Sequence, residues 1–143
     1  MKFLILTLCM LVLLGFSGKK LSGDFRMENP RVMIPVQGTT TTAGYMSILN
    51  PTDKPVRLKI KSAEHFEFVE MHETYKEEDR MSMRMIDEIE IKPQSKFTLK
   101  PGGHHLMLMK AKKKFSEGEK IKVTFVKNDT DEIIVEIPFK KRQ

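Results

Sequence analysis

The chain has 143 residues, one cysteine, no tryptophan and a net charge of +6 at pH 7. That length fits one domain built around a single core. Because Cys9 is the only cysteine, the sequence excludes a disulfide framework within the chain and a zinc site built on two or more cysteines. It also excludes a cysteine nucleophile in the mature protein, and no stretch beyond the N-terminus has the apolar length of a membrane-spanning helix.

The N-terminus has the pattern of an export signal. Lys2 is followed by an apolar run over residues 3–14 and by the small residues of the Gly15–Gly18 segment. This run has the length of a signal-peptide core and is short for a membrane span. We therefore predict a signal peptide over residues 1–18, either cleaved or kept as an anchor, and a periplasmic or otherwise exported location. We predict a polar linker over 19–30 and a single domain over 31–143.

The rest of the chain alternates between short apolar-patterned runs and turn residues, without a helical period. The candidate strands lie at residues 31–36, 43–49, 56–60, 66–71, 81–86, 89–91, 97–99, 104–109, 121–125 and 133–137. The charged stretch 73–80 between two of them is interpreted as a loop. Many short strands with this alternation are typical of an all-β domain, and a two-sheet Greek-key sandwich is the natural way to bury them.

Methionine and histidine are concentrated in one part of the chain. Nine of the eleven methionines follow the predicted leader, and six of these lie between residues 71 and 109, together with three of the four histidines. Side chains alternate across a strand, so the three methionines of 81–85 share one side of theirs. His105, Met107 and Met109 likewise share a side. We expect these two stripes to converge with His72.

This residue set has a specific metal preference. A thioether is a soft, uncharged donor that binds Cu(I) well and zinc, magnesium or calcium poorly, whereas imidazole binds copper in either oxidation state. A site of two methionines and two histidines would therefore favour Cu(I). The alternative is that the methionines fill the core, as they commonly do. Against it, Ser82 and Arg84 alternate with the first stripe, and an imidazole, His105, shares a side with Met107.

Three segments resemble the periplasmic copper chaperones called PCu(A)C. They are Val69–Thr74, Met81–Met85 and Leu99–Met109, the last with a Pro-Gly-Gly turn and a Leu-Met-Leu-Met run. The motif of that family is a histidine, ten residues, a methionine, twenty-one residues, a histidine, one residue and a methionine. Every spacing is matched here by His72, Met83, His105 and Met107.

The resemblance implies a cupredoxin-like Greek-key β-sandwich that binds one Cu(I) through those four residues. It implies a chaperone rather than an enzyme, with copper delivered to a cytochrome c oxidase subunit or its assembly factor. We expect the protein to be a monomer. Two features depart from the family pattern. Met85 stands where the family usually has proline, and the C-terminal segment 139–143 lacks the His- and Met-rich tail that holds a second copper in some members.

Other features leave alternatives open. His104 falls on the side of its strand opposite His105, which indicates a structural or exposed role. The basic runs 110–114 and 140–142 are solvated, or they steer the protein toward an acidic partner or a transient contact with an anionic membrane. Nucleic acid binding is not expected, since aromatic residues are few. A metal-free β-sandwich interaction module and a copper storage or resistance protein remain as alternative functions.

Overall fold

The computed structural model describes residues 21–142, so the predicted signal peptide lies outside the described part of the chain. These residues form ten β-strands. In chain order they are β1 (Arg26–Met33), β2 (Thr42–Asn50), β3 (Val56–Ala63), β4 (Phe66–Glu77), β5 (Arg80–Ile86), β6 (Ile89–Ile91), β7 (Ser95–Leu99), β8 (His104–Ala111), β9 (Lys120–Lys127) and β10 (Asp131–Lys140). Within residues 21–142, no helix is long and apolar enough to cross a membrane.

The strands form two packed layers that share one continuous path of hydrogen bonds. One layer has the order β5-β4-β8-β2-β1, with β7 pairing the second half of β2 beside β8. The other has the order β10-β9-β3-β6. A short parallel pairing of β1 with β10 joins them, and all other pairings are antiparallel. The prediction of an all-β sandwich is therefore confirmed.

The core lies between the two layers and is built from the inward positions of alternating strands. On β8, Leu106 and Leu108 are fully buried, whereas Met107 and Met109 between and beyond them are partly exposed. The opposing layer contributes apolar side chains that are also fully buried: Leu58, Ile121, Val123, Phe125 and Ile137. At one end of the core, Phe115 stacks between Phe66 and Phe139, with ring centroids 5.3 and 4.2 Å away.

The methionines differ widely in burial, and only some of them belong to the core. Met46 and Met71 are 1% exposed and belong to the core. By contrast, Met81, Met83 and Met85 on β5 are 63%, 58% and 56% exposed. Core packing therefore explains the first pair, as the alternative interpretation proposed, but it does not explain the stripe on β5.

The sheet begins earlier than the sequence predicted. Strand β1 starts at Arg26, five residues before the predicted domain boundary, and so occupies part of the predicted linker 19–30. A shift in the β1–β2 register between Glu28 and Arg31, with Asn29 at φ 51°, accommodates Pro30 within the strand. Proline is tolerated at such bulges because it has no N–H to donate to the ladder.

The prediction of a loop over residues 73–80 is wrong. Strand β4 continues to Glu77 and pairs with β5 up to Arg80, so that only two residues connect the strands of this hairpin. None of the residues 73–77 is fully buried, and so the extension needs no apolar alternation. The guanidinium of Arg84 lies 2.7 Å from the Glu73 carboxylate and 5.1 Å from the centre of the Tyr75 ring. Cross-strand charge and aromatic pairs of this kind stabilise a hairpin locally.

Candidate metal centre

Three predicted or candidate donors form one row across three adjacent strands. His72 on β4 lies directly opposite Met85 on β5 and directly opposite His105 on β8. Residues directly opposite each other in antiparallel strands project from the same face. The neighbouring residues on the two inner strands, Met71 and Leu106, are buried in the core. The row therefore projects from the outer face of the layer.

The two imidazoles of this row lie side by side. Their ring centroids are 5.8 Å apart, and the planes are inclined by 44°. His105 is 8% exposed, and the His72 side chain is 14% exposed. The extended backbone of the two central strands of the layer thus brings together histidines that are 33 positions apart in the sequence.

When each ring is neutral, its hydrogen bond determines which nitrogen keeps a lone pair that can bind a metal. Nε2 of His72 lies 2.7 Å from Oε2 of Glu70, and Nδ1 of His105 lies 3.0 Å from the carbonyl oxygen of Gly103. A carboxylate and a carbonyl oxygen only accept hydrogen bonds, so these two nitrogens donate. The lone pairs then remain on Nδ1 of His72 and Nε2 of His105. Nδ1 of His72 is buried and has no hydrogen-bond partner among the described residues.

The two predicted methionine ligands reach this patch from opposite sides. Met83 lies opposite Thr74 on β4, and Met107 lies opposite Glu70 on β4 and Ala43 on β2. Both side chains line an open pocket of about 320 Å³ together with His105. The structure therefore brings Met83, His105 and Met107 together around one pocket, with His72 against the ring of His105.

The donors in this patch are suited to a soft cation. It combines imidazole nitrogens with thioether sulfurs, all uncharged when the rings are neutral. Within residues 21–142, no group of three or more His, Cys, Asp or Glu side chains is arranged to hold a metal ion. Calcium and magnesium require oxygen ligands, and structural zinc sites use four donors of the Cys, His and carboxylate types. The donor set thus fits Cu(I) better than any of those ions.

Glu70 belongs to this patch, although the sequence analysis did not single it out. Its carboxylate contacts His72, and its backbone position is opposite Met107. The signal was available in the sequence, because Glu70 precedes His72 by two positions and so shares its side of the strand. A single acidic residue within a strand does not reveal its contact until the pairing and the side-chain positions are known.

The remaining histidine and methionine candidates lie where alternation predicted. His104 projects from the side opposite His105, with Nε2 3.6 Å from Glu73 and its ring edge-on to Phe97 at 4.9 Å. Met81 and Met109 share the outer face with the patch but lie opposite Lys76 and Phe68. Neither of them lines the pocket.

A basic surface borders the pocket. Arg142 and Tyr45 line it and also line a neighbouring cavity of about 790 Å³. That cavity is further lined by Arg31, Lys140 and Lys141. Both basic runs are partly neutralised, since Lys141 lies 3.4 Å from Glu117 of the same cavity and Lys110 lies 3.0 Å from Glu67. The charge next to the pocket therefore comes mainly from the end of β10 and from β1.

Solved structures with the same fold include copper-binding domains. The copper-bound PCuAC domain from PmoF2 is 27% identical and superposes with a TM-score of 0.69, covering 84% of this chain and 95% of that domain. The apo PCuAC domain from PmoF1 is 26% identical, with a TM-score of 0.69 over 84% of this chain and 96% of that one. The Cu(I) form of DR1885 from Deinococcus radiodurans, at 22% identity, shares the fold with a TM-score of 0.67 over 88% and 84% of the two chains.

The sequence also matches a protein family over most of its described length. The family described as "Putative lipoprotein LpqE-like" matches residues 25–139, which include all ten strands except the last residue of β10. No curated protein is significantly similar to the chain. The predicted resemblance and the predicted cupredoxin-like sandwich are both confirmed by these matches. The chain belongs to the LpqE-like family, and its domain is of the PCuAC type.

Proposed function

We propose that this protein is an exported copper chaperone that binds one Cu(I) through His72, Met83, His105 and Met107. The observation that carries the proposal is the convergence of these four side chains on the outer face of β5, β4 and β8. Met83, His105 and Met107 line one pocket, and the His72 ring lies against that of His105. Copper is here the cargo of the protein.

The chemistry of the donors favours the lower oxidation state. Two thioethers and two neutral imidazoles supply no negative charge, whereas Cu(II) is stabilised by harder donors. A blue-copper site would need a cysteine thiolate, and residues 21–142 contain no cysteine. Electron transfer of the blue-copper kind is therefore not the proposed role, even though the fold is cupredoxin-like.

Exposure of the donors favours transfer over storage or catalysis. Met83 is more than half exposed, so an acceptor protein can approach the metal and replace this thioether. A copper storage protein would need many donor groups, whereas we propose one site. The copper-bound PCuAC domain from PmoF2 supports a binding role.

The destination of the copper is proposed from the resemblance. Delivery to a copper centre of cytochrome c oxidase, directly or through an assembly factor, is the role that the PCu(A)C family implies. The apolar leader and the lipoprotein description of the LpqE-like family support an exported protein, with the leader cleaved or kept at the membrane. The basic surface beside the pocket would favour an acidic acceptor or a transient contact with an anionic membrane.

Titration with Cu(I) against a competing chelator tests this function. The mature protein should bind one equivalent, and a His72→Ala, His105→Ala double variant should lose most of the affinity. A His65→Ala, His104→Ala double variant is the matched control and should bind like the parent. His65 lies in the connection between β3 and β4, and His104 projects from the side of β8 opposite His105. A parent that binds no Cu(I) would leave the interaction-module alternative. Binding without transfer to an isolated oxidase copper-centre domain would favour storage.

A further inference from the structure

We propose that Met85 is a fifth soft donor at this site and exchanges with Met83 as a ligand of the bound Cu(I). The inference rests on the proposed function, since it assumes that the site binds Cu(I). It adds a residue to which the family motif assigns no role. Its consequence is that the protein can keep the metal while one of its two exposed thioethers is displaced.

In the strand register, Met85 lies closer to His72 than Met83 does. Met85 lies directly opposite His72, whereas Met83 lies directly opposite Thr74 and is therefore diagonal to His72. Directly opposite residues have Cβ atoms about 4.5–5.5 Å apart, and diagonal ones are about 7–8 Å apart. Met83 in turn lines the pocket with His105 and Met107. The two methionines thus lie at successive outward positions of β5, on one side of the histidine pair.

Neither side chain is held elsewhere by packing. Both are more than half exposed, and both project from β5, the last strand of its layer. Methionine is unbranched and has several rotatable bonds, so rotation of the side chain can move its sulfur by several ångströms while the backbone stays in place. An apolar side chain that is more than half exposed contributes little to the core, so core packing does not explain methionine at position 85.

Five donors then share four coordination positions. His72, His105 and Met107 hold the metal throughout, and the fourth position is taken by the sulfur of Met83 or of Met85. In the exchange one Cu–S bond forms and another breaks, with no electron or proton transferred and no change in charge. An incoming ligand from an acceptor can replace one sulfur while the other is still within reach. The route for release therefore runs along the edge strand β5.

Met81 provides a matched control. It lies on the same strand and the same face, and it is as exposed as Met83 and Met85. Its direct neighbour across the hairpin is Lys76, four positions beyond His72, so its sulfur is too far along the strand to share the metal. Any general effect of replacing an exposed methionine on β5 should appear equally at Met81.

The test compares Cu(I) affinity in leucine variants, because leucine keeps the volume and removes the sulfur. We expect Met83→Leu to retain much of the parental affinity. Adding Met85→Leu to it should lower the affinity by a further tenfold or more, about the effect of a lost interaction of moderate strength. Adding Met81→Leu instead should change nothing. Equal affinities for Met83→Leu with and without Met85→Leu would overturn the proposal.

A second measurement needs no variant. In the parent labelled with ¹³C at the methionine methyl groups, addition of Cu(I) should shift the NMR signals of Met83, Met85 and Met107 and leave that of Met81 in place. An unmoved Met85 signal beside shifted Met83 and Met107 signals would overturn the inference and leave the proposed function intact. If none of the signals shifts and no Cu(I) binds, the proposed function itself has failed.

Discussion

The carboxylate of Glu70 accepts a hydrogen bond from Nε2 of His72 at a distance of 2.7 Å. Because Nε2 carries the proton in that bond, the metal-binding lone pair of the neutral ring is on Nδ1. His105 has the reverse arrangement, with Nδ1 donating to Gly103 and Nε2 free. The two proposed histidine ligands therefore present different nitrogens to the metal. Each orientation is fixed by a hydrogen bond within two residues of the histidine.

Removal of this carboxylate should weaken copper binding without abolishing it. Hydrogen-bond partners of metal ligands typically contribute about 10–100-fold to metal affinity, because they fix the tautomer and the ring orientation. We expect Glu70→Ala to lower Cu(I) affinity within that range and Glu70→Gln to lower it less, at an unchanged stoichiometry of one. Glu67→Ala is the control, since Glu67 contacts Lys110 on the same strand pair. Parental affinity in Glu70→Ala would contradict the positioning role.

Metal choice follows from the two thioethers. We expect one Cu(I) per chain and weak binding of Zn(II), because zinc prefers thiolate, imidazole and carboxylate ligands. The measurement is a competition between the two ions for the apo protein, read by metal analysis after gel filtration. Comparable retention of zinc and copper would mean that Met83 and Met107 contribute nothing to binding.

Met107 should be the methionine whose loss costs most. It lies between Glu70 and Ala43 in the register and lines the pocket, and the next methionine on its face, Met109, lies opposite Phe68 and away from the histidine pair. We expect Met107→Leu to fold normally and to lose more Cu(I) affinity than Met83→Leu. Met109→Leu, on the same face of the same strand, should bind like the parent. Equal effects at 107 and 109 would indicate packing rather than ligation.

The apo protein should fold without copper. Its core is complete across both layers, in contrast to small metal domains whose folding energy comes from the ion. We expect cooperative thermal unfolding of the apo form and a higher Tm with Cu(I), through mass action. Replacing the fully buried Phe125 by alanine should lower the free energy of unfolding by about 3–5 kcal/mol. A disordered apo protein in circular dichroism would contradict this expectation.

The turn between β9 and β10 should contribute an acid-sensitive increment of stability. The hydrogen bond from Lys59, with the charge of Arg57, holds the pKa of the Asp129 carboxyl below its ordinary value of 3.8, and the same bond raises the pKa of Lys59. A lowered carboxyl pKa stabilises the fold above the ordinary value, and this stabilisation is lost as pH falls below it. As the pH falls, the free energy of unfolding of Asp129→Asn should therefore decrease slightly less than that of the parent.

The size of that effect should be small, because all of these charges are exposed and screened by solvent. Asparagine tolerates the positive φ of 66° at this position, so the turn itself should survive the substitution. Urea unfolding at pH values from 7 down to 3 measures the effect. If Asp129→Asn loses as much unfolding free energy as the parent at low pH, the acid sensitivity comes from other carboxylates.

Strands with one buried face could be predicted from the sequence, whereas the second half of β4 could not. The alternation in β3, β8 and β9 reflects a core side, and those strands lie where it predicted. The second half of β4 has no buried side, so its charged residues looked like a loop. Its pairing depends on contacts with β5 that no local pattern encodes.

The same distinction applies to the site. Spacing alone could place the methionines of β5 on one side of their strand, and it did so correctly. It could not show that Met85, rather than Met83, lies directly opposite His72, because register depends on the two-residue connection of the β4–β5 hairpin. Nor could it identify Glu70 as the partner of His72. Both features arise from strand pairing, which the sequence specifies only through the folded sheet.

The exposed thioethers of β5 also make the donor set vulnerable to oxidants. Oxidation to the sulfoxide adds an oxygen to sulfur and turns a soft apolar donor into a hard polar one, and exposed methionines react first. A Cu(I) ion bound to the sulfur occupies the lone pair that the oxidant attacks, so we expect the loaded protein to be protected. With two sulfurs at adjacent outward positions, a single oxidation event on β5 would leave a spare donor beside the histidines. Two alternative sulfurs on the edge strand would then keep the protein able to bind copper for longer under oxidising conditions.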